Sequence, residues 1–454
     1  MKKTLLFIVF FAILVRIYFL INYHDLWWDS AVYAGMGKYI FSQGHSGLWE
    51  PLRPITLPII LGFFWFLRLD FVLFWKILQL FLSVSTIYLL YLIGIKTFDR
   101  RTAILACALM SASFIFVLMS TQLYAEILAV FFLMVSIYYA LNHKAALSAI
   151  FLSLSILSKF PIIFFFPIFL IFFWEQHKIQ SFCKWFLLSM LPFLMLNTLI
   201  YHNPIFPFVQ AHDVILRVVG CNVLNKQPWY FYFSKTLLEN VLFILAPIGI
   251  FLSLKKKIHY ALPMTLCLLV PLGYFTYLPC RDYRYILVFI PFVAIFSAFA
   301  LSQLTRKIKY FTVLVIIVLA ASSLYTIVIA PKSASPNISI DRYYHFIDNL
   351  HPIGEVWSSN PNHALYSDVK INLVYYPVYD NQTSQRFLSI LRYDNNISYV
   401  LLDTCDGGII CNPVDKVCKD NLQQTISLLR TNYAIAYQYT NGLCLYYVFE
   451  KKSI

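Results

Sequence analysis

The sequence predicts a polytopic α-helical membrane protein, with about eleven transmembrane helices and a small extracytoplasmic α/β domain after the last one. Three observations carry that expectation. First, the 454 residues are 60% hydrophobic and only 12% charged, whereas a soluble domain carries roughly 25% charged residues because its surface must face water. Second, the apolar residues lie in long blocks such as 71–95 and 310–330, each long enough to cross about 30 Å of hydrocarbon. Third, the charged residues lie in short clusters between the blocks, the pattern that orients helices in a bilayer. The formal net charge of +14 follows that pattern. No basic run is interleaved with stacking aromatics in a soluble segment, so no nucleic acid is expected as a partner, and membrane lipids are.

Charge and length then order the elements. Met1-Lys2-Lys3 precedes an apolar stretch over 4–20, and Asn22-Tyr23-His24-Asp25 follows where a secretory signal would end in small residues. The stretch reads as a retained first helix with a cytoplasmic N-terminus in a multi-pass cell-membrane protein. The basic clusters Lys96/Arg100/Arg101, His143/Lys144, Lys178/Lys184, Lys255-Lys256-Lys257 and Arg306/Lys307/Lys309 are then cytoplasmic too. Segment 55–67 breaks this alternation if it spans. As a helix it covers only about 20 Å, Pro54 and Pro58 open it, and Arg68 and Asp70 close it. It reads as an outer-face juxtamembrane helix near 54–68. A second lies near 30–42, where Val32, Met36, Tyr39 and Ile40 recur at helical spacing behind the anchors Trp27 and Trp28. The predicted spans are 4–21, 71–95, 103–119, 127–141, 145–157, 161–174, 185–201, 236–254, 260–278, 285–304 and 310–330.

Residues 1–330 thus form a transmembrane domain, and residues 331–454 a separate extracytoplasmic one. Runs at 355–357, 371–378 and 397–402 read as strands, and 382–391 and 416–429 as helices, which suggests a small α/β domain. Of nine cysteines, Cys221, Cys280, Cys405, Cys411, Cys418 and Cys444 fall on the outer side. Cys405–Cys411 with Cys418–Cys444 is one pairing among those open. A zinc knot is the rival reading, with no close C-x-x-C pair to carry it.

The polar residues that could do chemistry gather on the outer side. Asp29, in Trp27-Trp-Asp29-Ser-Ala-Val-Tyr33, stands at the start of the first juxtamembrane helix. It is either an N-cap, where aspartate is common, or an ionised general base toward a hydroxyl acceptor. Arg53, before Pro54, either forks onto phosphate oxygens or snorkels. Glu126, at the outer end of a span, is costly there unless it faces a cavity or a partner. Lys159 is the lone cation between two apolar blocks, and Arg281-Asp282-Tyr283-Arg284-Tyr285 opens another span. Two arginines and two tyrosines at one interface suit a lipid phosphate; a plain interfacial anchor is the alternative.

In their order and their common side, these motifs resemble the GT-C superfamily of polyprenyl-phosphate-sugar glycosyltransferases, and within it the branch of the protein O-mannosyltransferases and the lipid A aminoarabinose transferase. The resemblance rests on Trp27 to Tyr33, Leu52-Arg53-Pro54-Ile-Thr-Leu-Pro58, Gln122-Leu-Tyr-Ala-Glu126, Leu157-Ser-Lys159-Phe-Pro161 and Arg284-Tyr285-Ile-Leu, and covers roughly residues 1–330. It implies a sugar transferred from a polyprenyl-phosphate-linked donor to a protein, lipid or glycan acceptor on the extracytoplasmic face. It further implies catalytic roles for Asp29 and Glu126 and donor-phosphate contacts from Arg53, Lys159, Arg281 and Arg284. The family's acidic pair is here Asp29-Ser30, and its double proline is Pro54-Ile55. No cofactor is required by the sequence; a divalent metal is compatible with it but has no support in it. A transporter or flippase of a lipid-linked substrate is the alternative; its ionisable groups belong near the midplane, whereas these lie at the outer ends of spans.

Overall fold

The computed structural model describes residues 2–22, 26, 28–174, 176–217, 227–278, 281–307, 342–344, 346, 349–350, 352–373, 381–404, 416–441 and 444–452. Its helices are α1 (Lys2–Asn22), α2 (Trp28–Phe41), α3 (Thr56–Phe66), α4 (Phe71–Thr97), α5 (Arg100–Ser111), α6 (Phe114–Met119), α7 (Glu126–Leu141) and α8 (Ala145–Ser158). They continue with α9 (Phe166–Trp174), α10 (Ile179–Tyr201), α11 (Phe206–Arg217), α12 (Phe231–Glu239), α13 (Ala246–Lys255), α14 (Ala261–Tyr277) and α15 (Ile286–Lys307).

Four stretches among the described residues are long and apolar enough to cross a membrane: Lys3–Asn22, Phe71–Thr97, Ile179–Tyr201 and Tyr283–Leu304. They match the expected spans 4–21, 71–95, 185–201 and 285–304. The last expected span, 310–330, and the boundary after 330 lie outside the described residues. The remaining apolar helices are shorter, so the count of eleven does not follow from helix length.

Two expected spans are interrupted for local reasons. Block 103–119 divides into α5 and α6 at Ala112-Ser113, where the Glu239 carboxylate accepts from Ser113 Oγ at 2.7 Å and from the Ile115 amide at 3.1 Å. A buried carboxylate thus satisfies amide groups that a continuous helix would have bonded internally. Block 236–254 divides after Glu239, and Asn240 Oδ1 accepts from the Leu242 amide at 3.0 Å to start the 3-10 turn Val241–Leu245 ahead of α13. Pro161 likewise sits in a 3-10 turn, Phe160–Phe165, before α9, in a first-turn position where its missing N–H costs little.

The apolar helices divide by how much of them packs. Tyr283–Leu304 is apolar all round and 94% buried, as befits the bundle centre. Lys3–Asn22 and Ile179–Tyr201 are 22% and 17% buried and leave Leu6, Phe7, Leu187 and Leu199 exposed, a surface that suits lipid rather than water. Arg16 is fully buried in α1, donating to Ser83 Oγ at 2.9 Å and to the Ala12 carbonyl at 3.0 Å. Nothing about this arginine was singled out by sequence.

The C-terminal residues form a five-stranded sheet of order β2-β1-β3-β5-β4, from β1 (Glu355–Ser358), β2 (Ile371–Leu373), β3 (Ile397–Asp403), β4 (Tyr433–Asn441) and β5 (Cys444–Lys451). β1 runs parallel to β2 and β3, while β5 is antiparallel to β3 and β4. Helices Asn381–Tyr393 and Lys416–Asn432 cover one face through Phe387, Leu391, Cys418 and Leu429, and Tyr343 and Tyr344 cover the other. The helices and first three strands match the sequence expectation, with 374–378 outside the described residues; the β4–β5 hairpin had not been expected. Cys418 and Cys444 are each disulfide-bonded. Cys221, Cys280, Cys405 and Cys411 lie outside the described residues.

The sheet domain rests on α2. Val32, Met36 and Leu48 pack with Ala364 and Ile371, and Lys38 pairs with Asp368 at 2.9 Å. Trp65 Nε1 donates to Asp368 at 3.1 Å. Gly47 extends the sheet beside β2, its amide donating to the Val369 carbonyl at 3.2 Å and its carbonyl accepting from the Ile371 amide at 2.7 Å. Only glycine fits there: φ is +74°, and a Cβ would lie 2.2 Å from the Gly35 carbonyl oxygen.

Candidate active site

Each candidate side chain except Arg281 comes from a helix terminus or the turn beside one, and those termini meet. Asp29 lies in the first turn of α2, where the helix dipole favours a carboxylate. Arg53 closes the turn that leads to α3, its amide donating to the Glu50 carbonyl at 3.2 Å. Glu126 is the first residue of α7, Lys159 follows the last residue of α8, and Arg284 lies in the 3-10 turn Tyr283–Tyr285 before α15. The far ends of α7, α8 and α15 run to His143/Lys144 and Arg306/Lys307, so the basic clusters lie at the opposite ends of the same helices.

One connected charge network results. Asp29 Oδ1 pairs with Arg53 at 2.8 Å and Asp29 Oδ2 with Arg284 at 2.5 Å. Arg53 Nε also donates to Glu50 at 3.0 Å, which holds its guanidinium from the other side. Lys159 pairs with Glu126. Arg284 approaches Glu126 at 3.9 Å and donates Nε and Nη2 to Asp282 at 2.9 and 2.7 Å. Each cation also rests on an aromatic face: Arg53 over Tyr33 at 5.8 Å, Lys159 over Tyr285 at 4.9 Å and Arg284 over Tyr124 at 4.9 Å. Such contacts add about 0.5–2 kcal/mol where water is excluded.

The electrostatics follow from that geometry. Burial alone would raise the Asp29 carboxyl, but Arg53, Arg284 and Lys159 outweigh it and hold the group well below the usual carboxylate range. Asp282 is depressed too: burial opposes the shift, and the charge and hydrogen bonds of Arg284 prevail. Asp29 is therefore ionised at neutral pH, with both oxygens occupied by arginine.

Five of the six sequence candidates, Asp29, Arg53, Glu126, Lys159 and Arg284, thus come together. Arg281 points elsewhere, donating to the carbonyls of Gln227 and of Thr276, the latter at 2.6 Å. Sequence reading missed Glu50 and Asp282 as anchors and Tyr33, Tyr124 and Tyr285 as the plates beneath the cations. The spacings Glu50–Arg53 and Asp282–Arg284 were the available signal. Among the described residues, no group of three or more His, Cys, Asp and Glu is arranged to hold a metal ion.

Solved structures share this fold. ArnT from Cupriavidus metallidurans, in the apo state and bound to undecaprenyl phosphate, superposes with a TM-score of 0.66 at 10% identity, over 97–98% of this chain and 97% of that one. The archaeal oligosaccharyltransferase AglB from Archaeoglobus fulgidus, in complex with an inhibitory peptide and a dolichol-phosphate, gives 0.62 at 11% identity, over 98% of this chain and 74% of that one. The arabinofuranosyltransferase AftD from Mycobacteria gives 0.59 at 12% identity, over 99% of this chain and 41% of that one. No curated protein sequence matches the chain. Residues 3–354 match the Alg9-like mannosyltransferase family. The chain belongs to that family and is a membrane glycosyltransferase of the GT-C class.

Proposed function

We propose that the protein transfers one sugar from a polyprenyl-phosphate donor to an acceptor hydroxyl or amide on the extracytoplasmic face. The observation that carries this reading is the convergence of Asp29, Arg53, Glu126, Lys159 and Arg284 from five separate segments into one network. The family points to mannose as the first sugar to test. The undecaprenyl phosphate and dolichol-phosphate bound by ArnT and AglB support a lipid-phosphate donor. The basic clusters at the far ends of α7, α8 and α15 support an extracytoplasmic site, since such clusters stay on the cytoplasmic side.

In this reading the donor's isoprenoid stays in lipid while its phosphate reaches the arginines. Arg53, Lys159 and Arg284 stabilise negative charge as it develops on the departing phosphate. An arginine that turns toward phosphate loosens its hold on Asp29, whose carboxylate then becomes basic enough to take the acceptor's proton. Glu126 keeps Lys159 and Arg284 in place during that exchange. The acid network would thus stay quiet until the donor arrives. We assign acceptor recognition to the α/β domain, and its seat on α2 beside Asp29 supports that assignment.

The test is transfer of labelled mannose from a polyprenyl-phosphate donor in proteoliposomes. Turnover that collapses in Asp29→Asn supports the reading. Turnover near wild type in that variant removes the general-base role, and failure with every polyprenyl-phosphate sugar removes the donor class.

A further inference from the structure

The sheet domain carries an open cavity of about 480 Å³, a size in the range of small-ligand pockets. It lies where β1 and β3 begin and β5 ends, and Ile353, Asn395, Asn396, Tyr399, Glu450 and Lys451 are in its lining. The domain is seated on α2 through Ala364, Asp368 and Ile371, none of which lines this cavity. The cavity therefore shares no residue with that seat or with the network around Asp29.

Its lining mixes donors and acceptors. Tyr399 stands opposite Glu450 across the β3–β5 ladder, and its hydroxyl donates to Glu450 Oε1 at 3.3 Å. No other hydrogen bond reaches that carboxylate among the described residues, so Oε2 is open to a ligand. Lys451 Nζ donates to the Asp394 carbonyl at 2.7 Å and to Asn395 Oδ1 at 3.1 Å, which leaves one N–H. The Asn395 Nδ2 group and the whole side-chain amide of Asn396 make no hydrogen bond among the described residues. Beside these polar groups stands Ile353, a large apolar side chain fully exposed to solvent.

That combination selects a ligand class. An anion meets the Glu450 carboxylate, while the Lys452 ammonium is turned onto the Thr431 carbonyl at 2.8 Å and Lys451 is mostly spent. A peptide adding as a strand needs a free sheet edge, but β1, β3 and β5 each have a strand on both sides. A hydroxyl both donates and accepts, so a ring bearing several hydroxyls and an aliphatic face fits amides, carboxylate, ammonium and Ile353 together.

We propose that this cavity binds a short neutral glycan and holds the acceptor by a sugar other than the one that reacts. The proposal rests on the transferase reading above and deepens it by naming a carbohydrate acceptor. Asn396 and Glu450 are binding residues here and take no part in proton transfer.

The experiment is a ligand-observed NMR titration of mannotriose, maltotriose and xylotriose against the full chain in an amine-oxide detergent, whose headgroup is not a sugar. Thermal unfolding of each variant serves as the folding control. Wild type is expected to bind at least one of the three, Asn396→Ala and Glu450→Ala each to weaken it roughly 3- to 30-fold, and Asp29→Asn to bind as wild type does. Both cavity variants within about twofold of wild type, with binding lost in Asp29→Asn, would overturn the cavity and leave a carbohydrate acceptor standing. A wild-type chain that binds none of the three overturns the proposal. Labelled-sugar transfer from a polyprenyl-phosphate donor onto a lipid or peptide would then show that the transferase reading survives it, and no transfer onto either that both fail.

Discussion

Arg284 donates to Asp29 at 2.5 Å across 255 positions of sequence, joining the turn before α15 to the first turn of α2. The same guanidinium gives Nε and Nη2 to Asp282, which leaves Nη1 for Asp29. Asp29→Asn should lower the rate of labelled-sugar transfer about 10²- to 10⁴-fold, the range for loss of a general base. Arg284→Lys keeps the charge but not the fork, and should cost about tenfold or more. Because the two act as a unit, the double variant should be scarcely slower than the worse single one. Initial rates at saturating donor decide both points; additive losses would show the pair to be independent.

His363 makes a second prediction, for the sheet domain. It is fully buried between Tyr343 and Tyr344, with neither ring nitrogen hydrogen-bonded among the described residues. Burial pushes its pKa down to about 3. The folded imidazole stays neutral while the unfolded one takes a proton below about pH 6.5. Stability is therefore fully present above that pH and falls by about 1.4 kcal/mol per unit as the pH drops toward 3. Thermal unfolding across this window should show the fall in wild type and not in His363→Phe. The carboxylates Asp29 and Asp282, whose pKa values are depressed, lose their contribution only lower, from about pH 4 downward.

Glu239 tests why the 103–119 block breaks. Its carboxylate is buried against Ser113 and the Ile115 amide at the start of α6. Glu239→Ala leaves that amide and hydroxyl unsatisfied and should destabilise the protein by about 1–3 kcal/mol. Glu239→Gln, which can still accept, should lose less. Thermal unfolding in detergent ranks the two, and an order reversed from this would reject the capping role.

Asp368 tests the seating of the sheet domain. Lys38 is buried and pairs with Asp368, and its ammonium also donates to the Ser367 carbonyl at 3.1 Å. Asp368→Asn leaves that lysine charge without its carboxylate and should speed proteolytic release of the C-terminal domain. Lys38→Met, which removes the buried charge, should be milder. Equal resistance of wild type and both variants would mean that the apolar contacts of Val32, Met36 and Ile371 suffice.

Much of the site was legible because its chemistry is rare in an apolar chain. In a sequence that is 12% charged, Asp29, Arg53, Glu126, Lys159 and Arg284 stand out at the ends of hydrophobic blocks. Their partners were harder to see. Glu50 and Asp282 look like ordinary loop acids until folding turns them onto Arg53 and Arg284. Arg281 misled because it lies ahead of the 3-10 turn Tyr283–Tyr285 that carries Arg284, in irregular chain where its guanidinium bonds the carbonyls of Gln227 and Thr276. Hydropathy gave the long helices α1, α4, α10 and α15 but not the breaks at Ser113 and Asn240, which depend on a carboxylate and an amide supplied locally or from another helix. The β4–β5 hairpin had a turn signal in Asn441-Gly442, overlooked beside the stronger helical pattern before it.

Gln79 ties α4 to the segment that leads into Glu126. It sits about eight residues, or about 12 Å, along α4 from Phe71, and its side-chain amide donates to the carbonyls of Met119 and Gln122 at 2.5 and 2.7 Å. The end of that segment is thereby held for Glu126, whose pair with Lys159 leaves the two side chains only 4% and 14% exposed. Dissolved ions screen so enclosed a pair poorly. Raising salt from about 0.1 to 1 M, which shrinks the screening distance from about 10 to about 3 Å, would weaken attraction between exposed charges and leave this pair almost untouched.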